Sequence, residues 1–264
     1  MIEKIVMIGA GNLATQLGLA LHEKNIRIQQ VFSRTLESAK TLADKLDASH
    51  TNELSKLDTD ADLYLIAVKD SSIQSILENL PAIDDRLIVH TAGSVPMMVL
   101  NGFSANYGVF YPLQTFSKNR KVDFSNVPIC IEANHPSNLV KLQELAGKLS
   151  GTIRQINSEE RKILHLAAVF VNNFVNHFYA IGADLLHDNK MNFDLLIPLI
   201  QETALKIETI SPIAAQTGPA KRNDQNVIQS HLKMLEDKPE YRKIYSFVSD
   251  SIFQLDKKSE HDIF

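Results

Sequence analysis

The chain of 264 residues has little from which a disulfide framework, a membrane span or a nucleic-acid surface could be built. Its one cysteine, Cys130, cannot form an internal disulfide, so we expect a packed thiol in a protein of a reducing compartment. The most apolar late stretch is interrupted by Asn172, Asn173, Asn176 and His177, which argues against a bilayer span and a membrane partner. The net charge of −4 gives no reason to expect nucleic acid as a partner.

Two other signals are missing. Residues 1–6 lead directly into a strand, without a basic start and a long apolar run, so we expect no signal peptide and a cytoplasmic protein. The nine histidines form no H-x-x-x-H pair with a supporting acid, and we expect no metal site.

Short apolar strands alternate with helical segments in the first part of the chain. Strands are predicted at 5–8, 27–32, 63–68, 87–90, 109–111 and 128–131, and helices at 13–23, 36–46 and 73–80. Such alternation predicts an α/β Rossmann fold with a doubly wound, mainly parallel sheet.

The pattern becomes all-helical after about residue 156. Asn157, three residues before Glu160, is typical of a helix cap with a supporting acid. Helices are predicted at 158–186, at 193–210 with Pro198 kinking or breaking the helix, at 224–235 and at 239–255. We therefore predict a Rossmann domain over residues 1–155 and an all-α domain over residues 156–264.

A glycine-rich motif lies between the first strand and the first helix. It matches G-x-G-x-x-G/A in the strand-to-helix context that a dinucleotide site requires. Gly9 permits the tight turn, Gly11 lets a pyrophosphate approach the backbone, and Ala14 keeps the helix close to the sheet. The predicted phosphate-binding residues are Gly9, Ala10, Gly11, Asn12, Leu13 and Ala14.

The end of the second strand indicates which dinucleotide is bound. No acid stands there to accept hydrogen bonds from the ribose hydroxyls, as NAD sites usually have. Ser33 and Thr35 can donate hydrogen bonds to a 2′-phosphate, and Arg34 can pair with it. These residues favour NADP(H), with Arg34 as a solvated loop charge the alternative interpretation.

These features, together with residues 90–94, 111–116, 165–173 and 217–222, resemble the pyrroline-5-carboxylate reductase and 6-phosphogluconate dehydrogenase-like superfamily. Nearly the whole chain resembles a bacterial family of predicted NADP oxidoreductases with a Rossmann-like domain and a helical domain of unknown function. The resemblance implies a C-terminal domain of the 6-phosphogluconate dehydrogenase C-terminal-like type and a homodimer formed through that domain, to which the apolar residues 170–186 would contribute. It also implies that the backbone of Ala67, Val68 and Lys69 lines the cofactor.

Further candidates follow the next two strands, because ligands bind beyond the carboxyl ends of parallel strands. We expect Thr91, Ala92 and Gly93 near the cofactor, Ser94 and Tyr111 among the catalytic residues, and Gln114 and Thr115 near the substrate. Bonding within loops and turns is the alternative for each polar side chain.

The long predicted helix supplies the sharpest candidates. At about 100° per residue, His165, Asn172 and Asn176 share one stripe of an apolar helix. His165 is the best titratable candidate for the proton transfer that accompanies hydride transfer, with Asn172 as a catalytic partner and Asn176 as a substrate contact. The alternatives are core groups bonded within the protein, or a polar seam in a dimer.

Two departures from the superfamily limit the transfer of known chemistry. Its hydroxyacid dehydrogenases place a lysine four residues before an asparagine of this helix, where this chain has Ala168 or Val169. Its pyrroline reductases hold the substrate carboxylate with a Pro-Gly-Gly-Thr loop. Here Gly218, with Arg222 after it, is the corresponding candidate for binding an anionic substrate, and a solvated basic turn is the alternative.

The sequence thus predicts an NADP(H)-dependent oxidoreductase acting on a small carbonyl or imine that carries an anionic group. One alternative is a non-catalytic NADP(H)-binding sensor or regulatory protein, which the missing lysine keeps open. Another, a deazaflavin (F420)-dependent reductase, follows only from names used for relatives.

Overall fold

The computed structural model describes residues 1–83 and 85–261. Its strands are β1 (Lys4–Ile8), β2 (Arg27–Phe32), β3 (Ser49–Thr51), β4 (Leu63–Ile66), β5 (Leu87–His90), β6 (Asn106–Pro112), β7 (Ile129–Ala133) and β8 (Ile153–Gln155). Its α-helices are α1 (Asn12–Glu23), α2 (Leu36–Ala43), α3 (Ile73–Leu77), α4 (Pro136–Leu149), α5 (Ser158–Ala168), α6 (Val175–Asp188), α7 (Ile197–Lys206), α8 (Pro212–Ala215), α9 (Gln225–Met234) and α10 (Pro239–His261). The chain divides between Asn173 and Phe174 into two compact units.

The first unit is built on one sheet with strand order β3-β2-β1-β4-β5-β6-β7-β8. All its pairings are parallel except that of β6 with β7, which is antiparallel. Strands β2 and β3 are added on one side of β1, and β4 and the strands after it are added on the other side. The carboxyl ends of the parallel neighbours β1 and β4 therefore lie next to each other at the point where the strand order changes direction, which is where a Rossmann sheet binds its ligand. The predicted doubly wound, mainly parallel sheet is confirmed.

The sheet is buried on both faces. In β1, Ile5 and Met7 pack into one hydrophobic core, and Val6 and Ile8 pack into a second core on the opposite face. The apolar runs of β1, β4 and β5 are typical of parallel strands that are covered on both sides, which is why these strands could be recognised in the sequence.

The structure adds elements that the sequence pattern did not predict. Helix α4 follows β7, beginning at Pro136 in its first turn, and buries Leu142, Leu145 and Leu149. Strands β3 and β8 have three residues each, too few to show an alternating pattern.

The predicted start of α5 is confirmed. The Asn157 side chain accepts hydrogen bonds from the backbone N–H groups of Glu159 and Glu160, both at 2.9 Å. The Glu160 carboxylate in turn accepts the Asn157 N–H at 2.8 Å, which completes a capping box.

The prediction of one uninterrupted α-helix over 158–186 is wrong. Residues Val169–Phe174 form a π-helical segment between α5 and α6. Because a π-helix bonds i to i+5, the angular spacing of about 100° per residue does not hold through this segment. The stripe predicted from His165 to Asn176 therefore does not follow from α-helical geometry.

The second unit is all helical. Pro198 lies in the first turn of α7 rather than inside a longer helix, because a 3₁₀ turn, Phe193–Leu196, precedes it. Asp224 caps α9 through the Val227 N–H at 3.2 Å. The composition changes near residue 156, whereas the compact units divide later, so α5 belongs to the first unit. The ranges 1–155 and 156–264 stay a prediction.

Across residues 1–83 and 85–261, none of the helices combines the length and the apolar character that crossing a membrane requires.

Candidate functional site

The turn after β1 requires a glycine at its first position. Gly9 has φ of +126°, a conformation that side chains rarely adopt. A Cβ on Gly9 would lie 2.2 Å from the Ala67 carbonyl oxygen, because the turn passes directly against the end of β4. The Gly9 N–H donates to the Phe32 carbonyl at 2.8 Å, which ties the turn to the end of β2 as well.

The second glycine has a different role. Among the residues that the structure describes, no atom lies within 4 Å of a Cβ built on Gly11, so the space above this backbone is open. Gly11 is the N-cap of α1, and none of the described side chains caps this helix end. The first N–H groups of α1 can therefore serve an anion, and Ala14, fully buried, brings the helix against the sheet.

A cavity of about 470 Å³ extends from this turn along the ends of β1, β2 and β4. Residues that the sequence analysis predicted to bind the cofactor make up most of its lining: Gly9, Ala10, Gly11, Asn12, Leu13, Ser33, Arg34, Ala67, Val68 and Lys69. Ser38, at the start of α2, is a further lining residue that the sequence analysis did not select; the Thr35 hydroxyl donates to its Oγ at 2.8 Å. Thr35 itself is not part of the wall.

The charge of this cavity suits a phosphorylated dinucleotide. Arg34 is exposed at its rim, and in the described part of the chain no carboxylate lies within ion-pair distance of it. The wall contains Arg34 and Lys69 and no acidic residue among those described. Together with the open backbone at Gly11, these residues fit a dinucleotide with an additional phosphate.

A second cavity of about 570 Å³ adjoins the first, because Asn12 and Leu13 line both. It lies within the first unit. Among its polar lining residues are the predicted Tyr111, Gln114, Thr115, His165 and Asn172, together with Asn173 from the π-helical segment. The structure thus brings together five of the predicted catalytic and substrate residues beside the candidate phosphate-binding turn.

Tyr111 and His165 form the chemically most specific contact in this cavity. The Tyr111 hydroxyl lies 3.1 Å from His165 Nδ1, and the two rings meet edge to face at 71°. Burial raises the pKa of Tyr111 to about 12, so the phenol keeps its proton at neutral pH. The pair can therefore hold a transferable proton next to the open space of the cavity.

Gly93 makes the position of His165 possible. A Cβ on Gly93 would lie 2.5 Å from His165 Nδ1 and 2.7 Å from its Cγ. The imidazole therefore rests directly on the backbone of the turn after β5, and any side chain at position 93 would displace it.

Three other residues after β5 lie outside the walls of both cavities. The Thr91 hydroxyl is buried and donates to the Ile66 carbonyl at 3.3 Å. This hydrogen bond agrees with the alternative interpretation, in which the side chain bonds within the protein. Ala92 is buried as well, and its N–H donates to His90 Nδ1 at 3.2 Å. The Ser94 hydroxyl is exposed and donates to the Asp70 carboxylate.

Gln114 and Thr115 are exposed on the wall of the second cavity, where the side-chain Oε1 of Gln114 accepts the Thr115 N–H at 2.8 Å. The remaining predicted substrate residues belong to the second unit. Asn176 is exposed on α6, Gly218 has φ of +104°, and Arg222 is exposed after it.

Sequence reasoning missed several buried groups beside the site. His90 is fully buried, and burial, with the nearby Arg161 charge, lowers its pKa to about 4. Arg161, also fully buried, pairs with Glu132. The available signal was the position of Arg161 one helical turn before His165, since an arginine on the inner face of a helix needs a buried partner.

Comparisons with known proteins agree with this geometry. Residues 4–93 match the family described as NADP oxidoreductase coenzyme F420-dependent, and residues 127–252 match a domain of unknown function, DUF2520. A "putative NADP oxidoreductase" of Bacteroides fragilis is 48% identical, with 96% of this chain and 98% of that chain covered and a TM-score of 0.90. The chain belongs to the family of this protein. This chain therefore combines an oxidoreductase-type Rossmann domain with a DUF2520 domain.

More distant structures share the fold. A 1-pyrroline-5-carboxylate reductase of Streptococcus pyogenes is 15% identical, covers 95% of this chain and 98% of its own, and has a TM-score of 0.60. An imine reductase of Myxococcus stipitatus, solved in complex with NADP⁺, is 15% identical, with 98% and 95% covered and a TM-score of 0.65. No curated protein matches the chain.

Proposed function

We propose that the chain is an NADPH-dependent reductase of a small carbonyl or imine compound that carries an anionic group. The observation that carries the proposal is the Tyr111–His165 pair, which lies in the wall of a cavity that shares Asn12 and Leu13 with the candidate phosphate-binding cavity. A proton-holding pair beside a dinucleotide site is what a reductase needs.

The residues would divide the work as follows. NADPH held in the first cavity would supply the hydride for reduction of a C=O or C=N bond. The backbone at Gly11 and the N-terminus of α1 would hold the pyrophosphate, while Ser33, Arg34 and Ser38 would hold the 2′-phosphate.

The proton that the substrate oxygen or nitrogen requires comes from the His165–Tyr111 pair in this proposal. When the imidazole is protonated, its Nδ1–H donates to the Tyr111 oxygen and its Nε2 proton can pass to the substrate, which leaves a neutral imidazole. Asn172 and Asn173, in the same wall, offer amide groups that can orient the bond being reduced.

The anionic group of the substrate has a candidate partner close by. A cavity of about 320 Å³ shares Gln114 and Thr115 with the second cavity, and its charged lining residues are Arg120, Lys121 and Asp123. Lys121 pairs with Glu23 at 2.7 Å, whereas Arg120 makes no ion pair with the described residues. Arg120 can therefore accept a carboxylate. Gly218 and Arg222 of the second unit remain the predicted alternative.

We also propose a homodimer formed through the helical domain. The support is the number of large apolar side chains that the second unit exposes, among them Phe178, Leu195, Leu199, Leu205, Ile207 and Met234. Light scattering of the purified chain tests this state. The proposed location is the cytoplasm, a reducing environment that suits the buried free thiol of Cys130.

The two alternatives have weaker support. A non-catalytic NADP(H) sensor rests on the missing lysine alone, and the open cavity beside the phosphate-binding turn favours an enzyme. An F420-dependent reductase rests on the description of one matching family, whereas the imine reductase with this fold was solved with NADP⁺.

The test is a fluorescence titration of the purified protein with NADPH and with NADH, repeated on Arg34→Ala. Removing one charged hydrogen-bonding group from a phosphate costs about 1.5–3 kcal/mol, so we expect NADPH affinity to fall roughly tenfold to more than a hundredfold while NADH affinity stays unchanged. Arg27→Ala is the matched control, since Arg27 is an exposed arginine at the opposite end of the same strand.

Equal or absent binding of NADPH and NADH by the unmutated protein would sink the NADP(H) assignment. Preferential NADPH binding that Arg34→Ala abolishes supports it, and then NADPH oxidation with 2-oxo acids and cyclic imines tests for turnover. In that assay Tyr111→Phe and His165→Gln should each lower kcat without weakening NADPH binding.

A further inference from the structure

Arg161 of α5 is fully buried, although it carries a charge that solvent would stabilise. Its guanidinium Nη1 donates to the Glu132 carboxylate on β7. Its Nη2 donates to the Val95 carbonyl at 2.6 Å, in the segment that follows β5, and to Ser158 Oγ at 3.3 Å. One side chain thus connects three elements of the first unit.

Glu132 and Ser158 extend this network. The Glu132 carboxylate accepts the Ser158 N–H at 3.1 Å and the Ser158 O–H at 2.8 Å, at the positive N-terminus of α5. Ser158 Oγ also accepts the Met97 N–H at 2.9 Å. The segment after β5 is therefore bonded to α5 at Val95, through Arg161, and at Met97, through Ser158.

The network and the candidate proton donor lie on the same face of α5. Ser158, Arg161 and His165 are spaced by three and four residues, which aligns their side chains along one face of a helix. The segment after β5 runs along that face. Its Gly93 backbone packs against the His165 ring, Val95 accepts a hydrogen bond from Arg161, and Met97 donates one to Ser158.

We propose that the Glu132–Arg161 pair is a positioning device that fixes α5 against the segment after β5, so that His165 is held at hydrogen-bonding distance from Tyr111. The inference rests on the proposed function, because the reason to fix this distance is the proton transfer. Glu132 and Arg161 touch neither substrate nor cofactor in this role; they act through His165.

Stability alone is a poor reason for this arrangement. A buried ion pair loses so much hydration that apolar residues of similar size often replace it without loss of stability. The Arg161 Nε–H also has no partner among the described residues, which adds a further penalty. A guanidinium is a rigid fork that bonds a carboxylate and a carbonyl in fixed directions, and an apolar side chain cannot do this.

The test compares three variants with the unmutated full-length chain. Arg161→Lys keeps a charge beside Glu132, but its ammonium lacks the planar fork. The double variant Arg161→Met/Glu132→Leu removes both charges together, so no unpaired buried charge is left to unfold the protein. Lys162→Met is the matched control, because Lys162 is the next residue of α5 and pairs with Glu159 in an exposed ion pair.

The primary measurement is the nuclear Overhauser effect between the Tyr111 and His165 rings, in protein with labelled tyrosine and histidine, below the melting temperature of each variant. We expect this signal to weaken strongly in Arg161→Lys and in the double variant, and to persist in Lys162→Met. The fluorescence titration with NADPH should give the same affinity for all four proteins, since the network does not line the dinucleotide cavity. With a 2-oxo acid or cyclic imine that is turned over, kcat should fall on the order of 10- to 100-fold while the KM for NADPH stays constant.

An unchanged Tyr111–His165 signal in the double variant would overturn the inference, because the helix would then hold His165 without the ion pair. That measurement requires neither cofactor nor substrate. Failure of the unmutated protein to bind NADPH would instead overturn the proposed function, and the two results are therefore distinguishable.

Discussion

Gly9 and Gly11, in the turn that we propose binds phosphate, should respond differently to the same substitution. At Gly9, alanine would have to adopt φ of +126° and place its Cβ 2.2 Å from the Ala67 carbonyl oxygen. The backbone strain costs about 1–3 kcal/mol, and forcing the turn away from β4 costs about 1–3 kcal/mol more. We therefore expect Gly9→Ala to lower the free energy of unfolding by about 2–6 kcal/mol.

At Gly11 the balance is close to zero. Its φ of −78° and ψ of −171° are open to alanine, and the new Cβ would meet no protein atom within 4 Å. The lower entropy of the unfolded chain stabilises such a variant by about 0.4–1 kcal/mol, and an alanine N-cap loses a similar amount relative to glycine. Stability should stay within about 0.5 kcal/mol of the unmutated protein.

Binding should separate the two effects. The methyl group of Gly11→Ala would occupy the space in which we place the pyrophosphate, so we expect at least a tenfold loss of NADPH affinity, or about 1.4 kcal/mol. Urea unfolding and the NADPH fluorescence titration measure both quantities. Gly151→Ala is the control, since its Cβ also meets open space. Full NADPH affinity in a folded Gly11→Ala protein would refute the placement of the pyrophosphate.

Two further predictions concern the end of β5 and the turn after it. Gly93→Ala would place a Cβ 2.5 Å from His165 Nδ1, so we expect a stability loss of about 1–3 kcal/mol and a weakened Tyr111–His165 ring signal, with NADPH affinity retained; an intact ring signal would contradict the close packing. The folded pKa of His90, about 4, lies below the unfolded value of about 6.5, so as the pH falls the unfolded chain binds the proton first. The contribution of His90 to stability should therefore fall by about 2 kcal/mol between pH 7 and pH 5. Urea unfolding at both pH values should show a smaller pH dependence in His90→Gln than in the unmutated protein; equal dependence in the two proteins would refute the assignment.

The features that the sequence predicted well depend on local chemistry. The Gly9–Gly11 turn and the Asn157 cap are each specified by a few consecutive residues whose backbone needs are known. The apolar strands were equally clear, since burial on both faces leaves an unbroken apolar run.

The features that were missed depend on partners distant in the sequence. The sequence around Arg161 does not indicate that its ion-pair partner is Glu132, which lies 29 residues away on another element. The π-helical segment was invisible for a different reason, because its residues fit an α-helical pattern and only the backbone bonding differs. Periodicity therefore predicted the helical conformation of His165, whereas Asn172 lies in the π-helical segment and the geometry between the two residues had to come from the structure.

The two ends of the sheet have a consequence for how the protein behaves at high concentration. The outermost strands, β3 with the sequence Ser-His-Thr and β8 with Ile-Arg-Gln, are only three residues long. An edge this short and polar offers an incoming chain very few backbone groups with which to extend the sheet. The protein can thus maintain six longer, largely apolar strands between these edges with little tendency towards intermolecular strand pairing or fibril growth.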